Sequence, residues 1–287
     1  MNEQNALQTP SRPRNSPSGG RYRYSDEGGA HLHTLDNRPL IGTTTAMNVL
    51  AKPLTWWASG MAVAEFGWVH PKNHTEDERK QAAITALQKV HEMDYPQYQA
   101  KLDKAYRAHD TVKRETALDG TDIHAKCERY VLHCMNTNAG RPIPPPPDKT
   151  GPVVVFAKWA CKTVERFRWA EAHCYSEKLW VGGISDCGAK LLFPGNPLAI
   201  IDFKRAKAAY FSHFVQLAGY ALQIEENGLF TEAGVNIVSP LKIGFLCVFP
   251  FGGGKPLSVP FTSDYGDVFK GILKTYKLQK EFDEQTG

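Results

Sequence analysis

Val181-Gly-Gly-Ile-Ser-Asp186 and Ile200-Ile-Asp202-Phe-Lys204 decide how this chain is read. Each is a short apolar run of the kind that forms a buried strand, and each ends on an acid. Residues i and i+2 of a strand point to the same side, so Asp202 and Lys204 share a face. A lone charge is costly to bury, so charges that close apolar strands point to a metal or to catalysis. Two carboxylates and an ammonium at neighbouring strand ends are suited to bind a divalent cation and to hold an attacking water.

The flanking segments add to this pattern. Ala206 to Glu226 reads as an amphipathic helix, with Gln216 and Tyr220 four apart on one face. Upstream, Asp119-Gly-Thr-Asp-Ile-His124-Ala-Lys-Cys-Glu128-Arg-Tyr130 reads as a helix start. Thr121 is its expected N-cap, and His124 and Glu128 share a face.

In this order the groups resemble the PD-(D/E)xK nuclease superfamily, in the RecB-like branch that includes mitochondrial genome-maintenance and phage recombination exonucleases. The family pattern Gly-Thr-x-x-His-x-x-x-Glu falls on Gly120 to Glu128. Gly-x-x-Asp falls on Gly183 to Asp186, (Asp/Glu)-x-Lys on Asp202 to Lys204, and Gln-x-x-x-Tyr on Gln216 to Tyr220. Asp-x-Lys alone is common by chance; four motifs in order, each on its expected element, are far more specific. Ser185 stands where relatives usually carry threonine or another small residue. The resemblance spans residues 40 to 225. It implies an α/β fold: a restriction-endonuclease-like core, with a mixed central sheet flanked by helices and a helical N-terminal segment.

It also implies a chemistry. Mg²⁺ prefers carboxylate, carbonyl and water oxygens. Asp186, Asp202 and the backbone carbonyl of Phe203 form such a set, with His124 as a further ligand better suited to Mn²⁺. Lys204 would orient the water or stabilise charge on the phosphate. Gln216 would bond the phosphate backbone or the water, and Tyr220 would support the metal shell or stack on a base. Glu128 is a supporting partner, a ligand or a helix-surface charge; Glu171 is a supporting acid or a surface strand residue. Arg205 and Lys207 would lie near the scissile phosphate.

Composition sets wider bounds. The 287 residues carry a formal charge of +4, with 42% hydrophobic and 22% charged residues, as in ordinary globular proteins. That charge permits nucleic-acid binding without arguing for it. The six cysteines form no Cys-x-x-Cys pair, so a zinc ribbon is not expected. Some members of the family that the chain resembles hold an iron–sulfur cluster on terminal cysteines; with none before Cys127 and only Cys247 late, no such cluster is expected. No apolar run reaches membrane length, and the N-terminus lacks a signal core. The expected location is cytoplasmic, in a bacterium or a phage-infected host.

Along the chain, residues 1–30 are polar and rich in Ser, Pro, Gly and Arg and are expected to be a disordered basic tail, with Arg12, Arg14, Arg21 and Arg23 interleaved with Tyr22 and Tyr24. One nuclease domain should follow over 31–287: a helical segment 42–138, a proline-rich connector 139–151 and a catalytic sheet core 152–287. Gly42-Thr-Thr-Thr45 opens a helix, Lys52-Pro53 ends it, and Thr55 to Trp68 forms another. Trp56 and Trp57 are candidate stacking residues for unpaired bases, although adjacent helical positions face different ways. Thr75 to Glu78 is a capping box, and a helix is expected over 96–110. Arg141-Pro-Ile-Pro-Pro-Pro-Pro147 reads as a stiff connector. Helix is expected over 153–166, then strands over 171–176, 179–192, 197–204 and 241–250, and a final helix over 263–282.

The expected function is a metal-dependent DNA exonuclease acting on single strands or linear ends in recombination, repair or replication. Its partners would be DNA and a single-strand-binding protein or recombinase, with no membrane. The rivals are a restriction-type or junction-cutting endonuclease of the same superfamily and a non-catalytic DNA-binding protein on a nuclease scaffold.

Overall fold

The structure is a computed structural model; it describes residues 21–27, 30–50 and 55–286, without the side chains of 27, 30, 55, 56 and 113–121. The chain forms two compact units, one of Met1–Ala51 with Asp122–Gly287, the other of Lys52–Thr121.

In chain order the elements are β1 (Tyr22–Glu27), β2 (Ala30–Leu35), β3 (Arg38–Pro39), β4 (Ile41–Gly42), α1 (Thr43–Ala46), α2 (Thr55–Ala64), α3 (Glu76–His91), α4 (Tyr95–Thr137), α5 (Pro152–Thr163), β5 (Val164–Ser176), β6 (Val181–Leu191), β7 (Leu198–Lys204), α6 (Phe211–Asn227), β8 (Leu229–Phe230), β9 (Asn236–Val238), β10 (Phe245–Pro250), β11 (Leu257–Pro260) and α7 (Ser263–Thr286). A short 3-10 turn over Met47–Leu50 follows α1.

The first unit is mixed α/β. Its main sheet runs β11-β10-β7-β6-β5-β8-β9, with β4 also paired to β6. β10 runs parallel to β7, and β4 parallel to β6; the other pairs are antiparallel. Alternation along β7 loads both faces of this sheet. Ile201 and Phe203 pack with Cys127 and Val131 of α4 and Phe156 of α5. Ile200 packs instead with Leu217, Ala221 and Ile224 of α6. Helices thus cover the sheet on both sides. The loop 192–197 reverses the chain between β6 and β7 through Gly195 and Asn196, which lie at φ +81° and +44°.

The second unit holds α2, α3 and the first part of α4. The capping box expected at Thr75 is present: Glu78 N–H donates to Thr75 Oγ1, and Thr75 N–H to Glu78 Oε2. A similar reciprocal pair, Asp94 with Gln97, opens α4. Lys104 pairs with Glu65 at 2.9 Å in this unit.

Several expectations need correction: among them, α2 ends at Ala64 rather than Trp68, and α6 begins at Phe211 rather than Ala206. Residues 21–27, placed in a disordered tail, include β1 of a separate three-stranded sheet. Tyr22 and Tyr24 are buried against Leu35 and other apolar residues, and Arg21 bonds Asp36 and Glu177. Period-2 burial of two tyrosines outweighs the polar composition around them. Thr121 is not an N-cap: α4 continues through it. An interior glycine such as Gly120 costs only about 1 kcal/mol, too little to break a helix of 43 residues. Finally, α5 ends at Thr163 and β5 begins at Val164, inside the expected helix 153–166. Arg12, Arg14, Lys52 and Pro53 lie outside the described residues. No helix among those described is long and apolar enough to cross a membrane.

Candidate active site

The site lies where β6 and β7 stop pairing. Their ladder ends at Cys187↔Ile201, one step short of setting Asp186 opposite Asp202. Asp186 Oδ2 instead accepts the backbone N–H of Phe203 at 2.7 Å. His124, on the part of α4 that belongs to this unit, brings Nδ1 to 3.5 Å from Asp186 Oδ1. Its ring meets the ring of Phe203 edge-on, with centroids 5.8 Å apart.

Asp202 is 3% exposed, so its charge has almost no water to solvate it. Lys204 Nζ lies 2.9 Å from each of its oxygens, but only Oδ1 receives a well-directed hydrogen bond. Oδ2 is buried without one. Burial pushes the Asp202 carboxyl up to about 6, with Asp186 adding to the rise and Lys204 opposing it. Asp186 is the contrasting acid. Burial opposes its charge too, but His124, Lys204 and the Phe203 N–H together outweigh burial and hold it below the usual carboxylate range. Burial likewise opposes charge on His124, and Asp186 overcomes it, so the imidazole stays protonated to higher pH than usual. Burial also disfavours the Lys204 ammonium, but Asp202 and Asp186 hold it charged.

From α6, Gln216 Nε2 donates to Tyr220 Oη at 2.9 Å. Tyr220 feels both Lys204 and Asp202, and burial pushes its phenol up to about 12. Tyr220 also lies directly over Gly183: a Cβ there would come within 2.5 Å of Tyr220 Cε1. The glycine of Gly-x-x-Asp is therefore the space that admits the tyrosine of Gln-x-x-x-Tyr.

Further residues join this network, which sequence reasoning did not assign to the site. Thr43 Oγ1 donates to Gly182 O at 3.0 Å and accepts from Gln223 Nε2 at 2.7 Å. Thr44 Oγ1 lies 3.4 Å from both Gln216 Nε2 and Tyr220 Oη. The parallel pairing of Gly42 with Gly182 places these threonines. The Thr-rich stretch was legible only as a helix start; its role needs the β4–β6 pairing. Gln223 lies seven residues from Gln216 and three from Tyr220, so its place on the same helical face was readable.

The other candidates lie as follows. Glu128 is half-buried one turn beyond His124. The β5–β6 register sets Glu171 opposite Asp186, and Glu171 adopts a left-handed φ of +40°, an uncommon conformation for a residue with a side chain. Arg205 and Lys207 are exposed just beyond β7. Trp56 and Trp57 are on α2 of the second unit, where Trp57 is 40% exposed. Among the described residues, no group of three or more His, Cys, Asp or Glu side chains already stands in a metal-holding arrangement.

No known family profile matches the chain, and no curated protein matches it.

Proposed function

We propose that the first unit is a PD-(D/E)xK nuclease core and that the protein is a metal-dependent DNA exonuclease acting on single-stranded or free DNA ends. The observation that carries the reading is the meeting of Asp186, Asp202, Lys204 and His124 where β6 and β7 part. Asp202 Oδ2 faces the Lys204 ammonium at 2.9 Å but receives no directed hydrogen bond, so it keeps acceptor capacity for a second cation. The donor set is mostly oxygen, which suits Mg²⁺, while the imidazole adds affinity for Mn²⁺.

Asp186, Asp202 and the Phe203 carbonyl would hold the ion, with His124 beside them. Bound there, it supplies Lewis-acid polarisation of the phosphate and a more acidic water. Lys204, kept protonated by its two acids, offsets charge that builds on the phosphate oxygens. Gln216 and Tyr220 hold each other in place, and Thr44 braces them from α1. Arg205 and Lys207 are exposed cations placed to meet the phosphate backbone.

The test is degradation of end-labelled single strands, linear duplex and closed single-stranded circles with Mg²⁺ or Mn²⁺, and with chelator. Loss of the linear substrates only when metal is present, with circles spared, is the expected result. Circles cut as fast as linear strands point to an endonuclease on the same centre. No cleavage under any condition removes the enzymatic reading.

A further inference from the structure

Just beyond Lys204 the chain turns toward α6 and exposes two aromatic side chains in succession. Tyr210 is 50% exposed and Phe211 58%. Neither is loose. Tyr210 lies edge-on to His213, with centroids 5.4 Å apart, and its backbone N–H donates to His213 Nδ1 at 3.2 Å. Phe211 rests on Tyr265 at 6.0 Å. Tyr210 and Phe211 follow Lys204 by six and seven residues, on the segment that leads from the end of β7 into α6.

The same segment carries charge. Arg205 and Lys207 are exposed between Lys204 and the aromatic pair. The glycine turn after β10 supports this segment from behind: a Cβ at Gly252 would meet the Ala206 carbonyl at 2.6 Å, and one at Gly254 the Lys207 carbonyl at 2.4 Å. Exposed rings, adjacent cations and a backed main chain are what an unpaired nucleotide needs, because cations neutralise phosphates while rings offer a face for stacking that any base can use. Duplex bases present no free face to a ring, whereas unpaired bases do.

We infer that Tyr210 and Phe211 form a stacking platform for unpaired nucleobases next to the scissile phosphate, so that the substrate at this site is a single strand bearing its bases. The inference rests on the nuclease reading for the position of the phosphate. The platform itself rests on ring exposure and neighbouring charge.

Binding of the full chain to a labelled oligothymidylate in chelator, read by fluorescence anisotropy, tests it against a strand of equal length built from abasic residues. Tyr210→Ala and Phe211→Ala should each weaken binding to the base-bearing strand about tenfold. They should leave binding to the abasic strand unchanged, and Tyr210→Trp should retain full affinity. Both positions are exposed, and melting temperatures should stay near that of the parent. Equal weakening on both strands, or no weakening on either, overturns the platform. If the parent chain binds neither strand, the platform and the nuclease reading fail together. Base-dependent binding without cleavage in Mg²⁺ or Mn²⁺ removes the nuclease reading alone and leaves the platform standing.

Discussion

The carboxylate of Asp186 accepts the backbone N–H of Phe203 at 2.7 Å, so a side chain of one strand takes the place of the next rung in the ladder to its neighbour. The sheet opens at that point, and Asp202 and Lys204 stand beside Asp186 without a strand partner across from them on β6. An acid that would otherwise sit opposite a second acid is thereby tied down by a main-chain donor. This separates the roles of the two carboxylates: Asp186 is held ionised, while Asp202 is buried and only partly hydrogen-bonded.

The start of α1 should be energetically joined to α6 through Thr43. Thr43→Val leaves the Gly182 carbonyl and one Gln223 N–H unpaired in a buried setting, which costs about 2 kcal/mol. Gln223→Met also removes a buried oxygen that has no partner. The double variant should therefore be more stable than the sum of the single losses by about 1 kcal/mol in chemical denaturation. Strict additivity would show that the 2.7 Å contact is incidental.

Gly183 should resist even one added methyl group. Its Cβ would meet Tyr220 Cε1 at 2.5 Å and Thr43 Oγ1 at 2.9 Å, between strand and helix. Gly183→Ala is expected to destabilise by about 1–3 kcal/mol and to reduce cleavage by displacing Tyr220. Gly195→Ala is the control, at φ +81° with open space around it, and should cost only the conformational strain of the turn and spare activity. Equal effects of the two on cleavage would detach Tyr220 from the site.

Acid should weaken the three-stranded sheet. His33 is buried beside Tyr22, Tyr24 and His173, with Tyr22 Oη 2.6 Å from Nδ1. Burial, then the charge of His31, lowers its pKa from 6.5 to about 4. The unfolded chain thus binds the proton more readily between those values. Stability is fully present above pH 6.5 and falls as pH drops toward 4, by about 3 kcal/mol at most from this group. His213, also lowered to about 4, acts in the same direction and remains in any His33 variant. Denaturant unfolding at pH 7 and pH 4.5 should show a smaller difference for His33→Gln than for the parent. The same difference in both would place the acid sensitivity elsewhere.

How far the sequence disclosed this arrangement depends on range. The strands that carry Asp186 and Asp202 were legible because an apolar run that meets an acid is a local signal, but β6 runs on through Asp186 to Leu191 and only its pairing with β7 stops there. The face shared by Gln216 and Tyr220 follows from helical spacing alone. The β1–β2–β3 sheet was missed because its buried positions are tyrosine and histidine within polar sequence. Its β2–β3 hairpin is closed by Asp36 and Asn37, both at positive φ, a weaker signal than the Asn-Gly or Asp-Gly pair that marks such turns. Thr43 and Thr44 gained their roles from pairing with a strand far along the chain, which no local pattern reveals. The left-handed Glu171 opposite Asp186 was equally hidden, since register across two strands decides it.

The account stands most directly on Asp202. Single-turnover cleavage of an end-labelled single strand in Mg²⁺ should fall at least about a thousandfold in Asp202→Asn, the loss expected when several kcal/mol of charge stabilisation disappears. The variant keeps the side chain's shape and leaves Asp186 to offset the Lys204 ammonium, and circular dichroism matching the parent's checks that it folds. Cleavage by Asp202→Asn at the parent rate would contradict the assignment of the β6–β7 end as the catalytic centre.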